Sequence, residues 1–324
     1  MQIVYQIIAD GQDITAKLQD RLISLNIIDE AGQKSDSAEI TIDDRDHLVE
    51  LPRTGAELNI SLGVGGLTEI GSYVVDEVSG EFAPSTITIS AKAADMLGAI
   101  RARKTRAWRD VTIEDIIRKI AGEHGLTPKV SDGLKGVSYS YQAQTTESDL
   151  NFLTRLAKDL DAVAKPAAGH LLFVVRGEGK TASGSDLPVF KIDRTEMASG
   201  SWNVTGRGRY GRVTAEWGER GTATTHKVTA GDQEPELALR HRYPNKSEAQ
   251  SAVDAALGRS QRASGKINVE LAGFRGDLMA EAKVDLTGIK AELTGEWLIT
   301  RVQHRLNSTL TTSFSAERDS RIGN

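Results

Sequence analysis

The chain has 324 residues, a formal net charge of −5 and no cysteine. This length allows two or more domains, each with a core of its own. Without cysteine, disulfides, thiolate catalysis and cysteine-ligated metal sites are excluded, and the acidic balance argues against general nucleic-acid binding. No apolar run approaches the ~20 residues that a membrane helix needs, and the start, MQIVYQIIADGQDI, lacks the basic region of a signal peptide. We therefore expect a soluble protein, made in a cytosol, with no stable membrane association.

Residues 1–97 show the alternation of apolar and polar residues that is typical of β-strands. In ELNISLG, Leu58, Ile60 and Leu62 share one face, and AEITID, GSYVVDEVSGEF and STITISA repeat the pattern between turn-forming residues. The run GVGG at 63–66 lacks the Lys-Ser/Thr continuation of a phosphate loop and is interpreted as a hairpin turn. The pattern predicts a first antiparallel β-barrel or sandwich.

Residues 98–177 predict a small α+β domain. The segment VTIEDIIRKIAGEHG places five apolar residues on one helical face, with Thr112 and Asp115 as a capping-box start and Gly125 as the residue after its end. The segment TTESDLNFLTRLAKDLDA predicts a second helix, with Thr146 and Asp149 as cap partners. The strands VSYSYQA and HLLFVV flank this helix.

Residues 178–324 predict a second β-barrel that carries one helix and an adjoining strand segment. The run at 175–188 is rich in Gly and Ser and is interpreted as a linker or exposed loop. The helix is predicted at about 246–263, capped by Asn245 and Glu248. The strands KINVELAG, AKVDLTG, EWLITRVQ and TLTTSFSAE follow it.

The last part of the chain is similar to the first. ELNISLG at 57–63 matches AKVDLTG at 282–288, and the segment 71–91 matches 295–316. The matched pairs are Gly71 with Gly295, Tyr73 with Trp297, Val75 with Ile299, Val78 with Val302, and Ser90-Ala91 with Ser315-Ala316 after a one-residue insertion. Either two amphipathic hairpins look alike by chance, or a barrel is duplicated. Three chains with two such barrels each would present six similar units in a closed ring.

Three segments resemble one protein family. They are KTRAWRDVTIEDIIRKIAGEHGL, QTTESDLNFLTRLAKDLDA with GHLLFVV, and RYPNKSEAQSAVDAALGRSQRASGKINVELAG. In this order and spacing they are similar to the late control gene D proteins of contractile-tailed bacteriophages, which are baseplate hub proteins related to the hub part of type VI secretion spike proteins. The resemblance spans nearly the whole chain.

This resemblance implies a mainly β fold with an α+β insert, in which two similar antiparallel, tube-like β-barrel domains accompany a small α+β domain. It also implies a non-enzymatic subunit of a homotrimeric ring, made in the bacterial cytoplasm and located in the tail baseplate of the virion. The implied partners are the tail spike protein, the tail tube, other baseplate proteins and, as a further candidate, the tape measure protein, with DNA only in transit through the pore.

One departure limits what the resemblance implies, and alternatives remain open. No C-terminal segment resembles a needle or a lysozyme domain, so we expect the spike and the hydrolase to be separate proteins. The alternatives to a phage hub are the hub part of a type VI secretion-like spike complex, a tail-associated peptidoglycan hydrolase, and a carbohydrate-binding module, which the small number of aromatic residues disfavours.

The acidic run at Asp43–His47 is a candidate metal or acid–base site by composition alone. Adjacent strand residues point to opposite faces, Asp is common in turns, and the spacing does not match a calcium loop. We therefore interpret the run as the solvated end of a strand. The six histidines have no zinc-protease spacing, and nothing selects a carboxylate pair for glycoside hydrolysis. No catalytic, cofactor-binding or metal-binding residue is predicted.

The basic run RARKTRAWRD at 101–110 has three possible roles. It could contact an acidic protein neighbour, where Arg and Trp act as anchors. It could contact the phosphates of DNA in the pore, or it could be a solvated connector between domains. We select Arg106, Trp108 and Arg109 as candidate interface residues. A second basic patch, GRGRYGRV at 206–213, could line a tube or an interface.

Overall fold

The structure is a computed structural model. It describes residues 2–32, 35–93, 99–167, 169–177, 179, 186–205, 210–218, 224–262 and 265–318. Parts of the loop at 175–188, Gly206 to Arg209 of the second basic patch, and the last residue of the predicted helix at 246–263 lie outside these ranges.

The strands of the first half of the chain are β1 (Ile3–Ala9), β2 (Gln12–Asp13), β3 (Leu22–Glu30), β4 (Ser37–Asp43), β5 (Glu57–Val64), β6 (Thr68–Phe82), β7 (Ser85–Ala93), β8 (Arg103–Thr112), β9 (Thr127–Val130) and β10 (Ser138–Ser148). Those of the second half are β11 (Ala162–Ala167), β12 (His170–Val175), β13 (Val189–Asp193), β14 (Met197–Val204), β15 (Arg212–Gly218), β16 (Thr225–Gly231), β17 (Glu236–Tyr243), β18 (Gly265–Leu271), β19 (Lys283–Thr287), β20 (Gly295–Leu306) and β21 (Leu310–Arg318). The helices are α1 (Thr15–Leu18), α2 (Ile113–Glu123), α3 (Asp132–Lys135), α4 (Asp149–Asp159) and α5 (Lys246–Arg262).

The first seven strands form what we call the first β module. Its strand order is β1–β5–β6–β7–β4–β3, every neighbouring pair is antiparallel, and β2 pairs with β1. Alternate residues of these strands, such as Ile40 and Ile42, are buried in one cluster. The alternation in the sequence therefore places one apolar face against the core and leaves one polar face exposed.

Six later strands form the second β module, in the order β13–β19–β20–β21–β18–β14. Apart from β2, when the six strands of each module are numbered along the chain, their spatial order is the same. Each strand of the second module therefore has a counterpart in the first. One pair differs in direction: β1 pairs antiparallel with β5, whereas β13 pairs parallel with β19. The predicted mainly β fold with two similar β modules is confirmed, and the pairing within them is antiparallel except for the β13–β19 pair.

Irregularities of the two modules fall at the same places. The register between β6 and β7 shifts between Val75 and Glu77, and the register between β20 and β21 shifts between Ile299 and Arg301. A further shift in the β3–β4 pair recurs in the β14–β18 pair. Bulges at matching positions support duplication over chance similarity, and the predicted pairing of residues 71–91 with 295–316 is confirmed.

The predicted match of ELNISLG with AKVDLTG is wrong by one residue. Val284 takes the place of Leu58, because each lies opposite the equivalent aromatic residue, Trp297 or Tyr73. Matching Leu58 with Lys283 instead would put a charged side chain on the core face. In a strand, a shift of one residue exchanges the two faces.

A strand pair inside the chain joins the two modules. The second half of β20 pairs antiparallel with β3, from Arg301 opposite Glu30 to Leu306 opposite Leu25. The modules therefore share one continuous sheet of 13 strands. We call the β3–β20 pair the internal seam.

The residues between the modules form a compact α+β unit, which holds one buried cluster built from α2, α4 and the strands β8 to β12. The predicted Thr112–Asp115 capping box is present, and Gly125 adopts a positive φ of 68° after α2. The predicted cap of α4 is wrong. The residue that caps α4 is Ser148 and not Thr146, because the Ser148 side chain accepts a hydrogen bond from the Asn151 amide. Asp149 has another role.

A smaller unit is inserted between β14 and β18. It consists of the three-stranded sheet β16–β15–β17 and α5, which bury a small cluster of Val and Ala residues. The side chain of Asn245 accepts the amide of Glu248 at 2.9 Å, so the predicted cap of α5 is confirmed. Within the described part of the chain, no helix combines the length and apolar character needed to span a membrane.

Candidate functional site

The acidic run at Asp43–His47 is a turn. The β4 strand ends at Asp43, whose carboxylate accepts the amide of Arg45, and Asp46 forms an ion pair with Arg21 at 2.6 Å. Asp44 accepts the amide of Val49. These carboxylates satisfy backbone donors of the same turn and the charge of Arg21, which lies just before β3, as expected for a strand end.

The basic run is a strand rather than a connector, since Arg103–Thr112 forms β8 and pairs with β10. The three selected residues have different environments. Trp108 is 5% exposed and stacks on Phe152 at a centroid distance of 5.7 Å, and Arg106 lies over its ring. Arg109 is exposed beside Tyr141. Of the three, Arg109 alone presents an exposed side chain, and their interface role stays a prediction.

A buried carboxylate explains why Arg106 is held inside. Asp149 is fully buried at the start of α4. Its oxygens lie 2.6 Å from Arg106, 2.6 Å from Lys104, 2.8 Å from His124 Nε2 and 2.8 Å from the Gln144 amide nitrogen. Burial alone would raise the pKa of Asp149, but these hydrogen bonds and the Arg106 charge outweigh it and hold that pKa below its ordinary value. The cluster fastens β8 to α2 and α4.

Part of this cluster has the composition of a metal site. Glu123, His124 and Asp149 each offer a ligand atom, and these atoms lie within 4.8 Å of one another. However, Lys104 and Arg106 both bridge Glu123 and Asp149 at 2.6–2.8 Å. Two cations already balance the two carboxylates and would repel a metal ion. We therefore interpret the cluster as structural.

The α+β unit and both β modules meet at one carboxylate pair. Lys165 of β11 lies 2.7 Å from Asp36 and 4.0 Å from Asp29, both in the first module. Asp29 in turn accepts the amide of Ala280, in the loop before β19, at 2.7 Å. Burial of its carboxyl group and the nearby Asp36 raise the pKa of Asp29 to about 6.

We expect this junction to be more stable at pH 5.5 than at pH 7.5. A carboxyl group with a raised pKa binds its proton more tightly in the folded state. Its contribution is complete below the unfolded pKa, declines above that value, and is lost as the pH rises through the folded pKa of about 6. Hydrogen exchange of the amides around Asp29, corrected for intrinsic rates, measures this difference. Asp29→Asn should remove most of this pH dependence. A remainder should come from Glu281, because burial also raises the pKa of its carboxyl group. An unchanged pH dependence in Asp29→Asn would contradict the assignment.

The open strand edges of the described residues include those of β14 and of the second half of β6. No described strand pairs with the outer edge of β14, where Trp202 and Val204 are 53% and 58% exposed. The second half of β6 is also open on the side that β5 leaves after Val74, and β6 ends at Phe82, which is 96% exposed. Open strand edges are sites where a further strand can add. Neither edge is predictable from the sequence, since alternation predicts a strand but not its neighbours.

The chain is similar to known phage proteins over most of its length. A family model described as phage tail baseplate hub (GPD) matches residues 39–310. The chain is 33% identical to the probable baseplate hub protein of Escherichia phage 186, over 97% of this chain and 92% of that protein. It is 30% identical to the probable baseplate hub protein of Escherichia phage P2, with the same coverage.

Solved structures share the fold. The 43 kDa tail protein of prophage MuSo2 from Shewanella oneidensis has a TM-score of 0.73 at 16% identity, covering 98% of this chain and 99% of that one. A tail protein from Neisseria meningitidis has a TM-score of 0.70 at 11% identity, with 98% and 97% covered. A component of the type VI secretion system of E. coli has a TM-score of 0.57 at 13% identity, with 100% and 79% covered. The family match and the two phage relatives together establish that this chain belongs to the phage tail baseplate hub family.

Proposed function

We propose that the chain is a non-enzymatic hub subunit, three copies of which close into a ring between the tail tube and the central spike of a contractile phage tail or tailocin. The observation that carries this proposal is the pair of β modules with one strand order, joined by the internal seam. Such a chain supplies two similar units per subunit, so a threefold ring presents six.

The proposed partners are those that the family resemblance implies. The copies themselves form the ring, and the tail spike protein, the tail tube and other baseplate proteins bind its two ends, with the tape measure protein as a further candidate. DNA passes through the pore without a lasting contact. The polar face of the sheet supports this, since a groove across β14, β18, β20 and β21 is lined mainly by hydroxyl, amide and glycine residues.

The division into domains is also a proposal: 1–97 and 178–324 as the two β domains and 98–177 as the α+β domain. Each contains at least one buried cluster made mainly of its own residues. Arg109 remains our preferred contact residue at the surface of the α+β unit.

The alternative of a type VI secretion-like hub has the same fold, as the E. coli component indicates. The phage assignment is preferred because the relatives with 30–33% identity are phage proteins. The hydrolase alternative gains no support from these comparisons.

The solution mass tests the ring. Light scattering of the purified chain, alone and with its spike protein, should give three times the chain mass of 35.0 kDa for the hub component. A control with the spike protein alone separates the two contributions. A chain that remains monomeric at every concentration, with and without the spike, would contradict the proposal.

A further inference from the structure

The internal seam provides a template for a second junction. In it, β3 and the second half of β20 place Leu25 opposite Leu306 and Ile27 opposite His304. All four side chains are buried. The seam therefore joins two modules through a strand pair whose core-facing side chains are buried.

Each strand of the seam has a counterpart with an open edge. By the shared strand order and matching bulges, β20 corresponds to β6 and β3 corresponds to β14. The second half of β6 and the outer edge of β14 pair with no described strand of the same chain. The chain thus contains one paired seam, β3 with β20, and two unpaired strand edges, on β14 and β6, that correspond to its two strands.

We propose that β14 of one copy pairs antiparallel with the second half of β6 of the next copy, in the register of the internal seam. This rests on the proposed ring and names its interface. Transferring the register places three core-facing pairs opposite one another: Gly200 with Phe82, Trp202 with Gly80, and Val204 with Val78.

Side-chain sizes support this register. The two largest residues, Trp202 and Phe82, each lie opposite a glycine, which leaves room for an aromatic ring on that face. Position 80 cannot carry a side chain without a clash, since a Cβ there would lie 2.5 Å from the Thr86 carbonyl oxygen. Pairing would cover Trp202, Val204 and Phe82, which are otherwise exposed.

The loop between β18 and β19 covers the internal seam. The corresponding loop, between β4 and β5, would cover the second seam in the same way. In the loop between β18 and β19, Phe274 packs against the core of the first module, and Ala280 donates its amide to Asp29. The corresponding loop between β4 and β5 holds Leu48 and Leu51, which are 77% and 66% exposed. A second copy supplies the module that these leucines would contact, so we assign the occupant as another copy of this chain.

Cysteine cross-linking tests the register, because the chain has no native cysteine. Asn203→Cys with Ser79→Cys places two thiols directly opposite on the polar face, within disulfide reach. Mild oxidation should give covalent dimers and trimers on non-reducing gels, and no larger species. The control pair, Ser201→Cys with Glu77→Cys, is four residues out of register, or ~13 Å, and should not link. Linking of the control pair, or of neither pair in a protein of trimeric mass, overturns the interface and leaves the ring standing.

A second measurement does not depend on thiol chemistry. Trp202→Ala should weaken association at least about 30-fold, as expected for a buried aromatic anchor, and should leave the circular dichroism spectrum unchanged. The matched control is Leu67→Ala, which removes an exposed apolar side chain from the β5–β6 turn. Equal association of Trp202→Ala and the unaltered chain contradicts the interface.

Discussion

Replacing Asp149 by alanine is expected to lower the free energy of unfolding of the α+β unit by about 3–5 kcal/mol, the usual cost of removing one partner of a buried ion pair. The substitution leaves Lys104 and Arg106 with Glu123 as their remaining counter-charge in the cluster. It also deprives the buried Gln144 amide of an acceptor. Hydrogen exchange of α2 and α4 measures the loss, and their slowest amides should exchange about a hundred to several thousand times faster.

The control for this prediction is Asp132→Ala. Asp132 pairs with Lys135 at the surface, and the loss of an exposed pair costs about 0–1 kcal/mol. A second check uses pH. Because the pKa of Asp149 is lowered by folding, its stabilising contribution is present above the unfolded pKa and is lost as the pH falls through the folded value. This acid sensitivity should be smaller in Asp149→Ala. Similar losses in both variants would show that the cluster does not fasten β8.

Trp297→Ala is expected to destabilise the second β module by about 3–5 kcal/mol, the range for truncating a large buried aromatic side chain. Trp297 is 1% exposed, and its indole nitrogen donates to the Leu293 carbonyl oxygen at 2.8 Å. Truncation leaves a cavity in the cluster between β19 and β21 and an unpaired carbonyl group. Thermal unfolding followed by near-ultraviolet circular dichroism, with hydrogen exchange of β19–β21, measures the effect.

Two variants calibrate this result. Trp297→Phe keeps a six-membered ring in the core but loses the hydrogen bond and part of the packing, so it should cost about 1–2 kcal/mol. Arg318→Ala removes the guanidinium that lies over the Trp297 ring and should cost about 1 kcal/mol or less. Equal losses for Trp297→Phe and Trp297→Ala would contradict a packing role for the ring.

The sequence predicts local features well because they depend on neighbouring residues. The Thr112–Asp115 and Asn245–Glu248 caps each need two residues three positions apart, and both form. The cap of α4 was misplaced because Thr146 and Ser148 are both good cap residues, and the choice between them depends on where β10 ends. Side-chain alternation predicted the strands of both modules for the same local reason.

Long-range features could not be predicted in this way. The pairing of β3 with β20 joins residues more than 270 positions apart, and no local pattern indicates a strand's neighbour. Trp108 and Arg106 lie in a basic run that suggests a surface, yet the buried Asp149 draws Arg106 inward and Phe152 covers Trp108. For the candidate interface, an exposed Trp202 alone does not indicate a partner strand. The pairing of β3 with β20 indicates which strand would lie opposite it.

The opposite directions of β1 and β13 have a consequence for how the proposed ring meets its neighbours. Five strands of each module agree in direction, whereas the sixth runs one way in the first module and the other way in the second. Around the proposed ring, the five strands that agree in direction therefore repeat every 60°. The strands β1 and β13, which differ, each repeat every 120°. A sixfold partner and a threefold partner would each meet matching periodicity on the proposed ring, although the ring is built from one type of polypeptide.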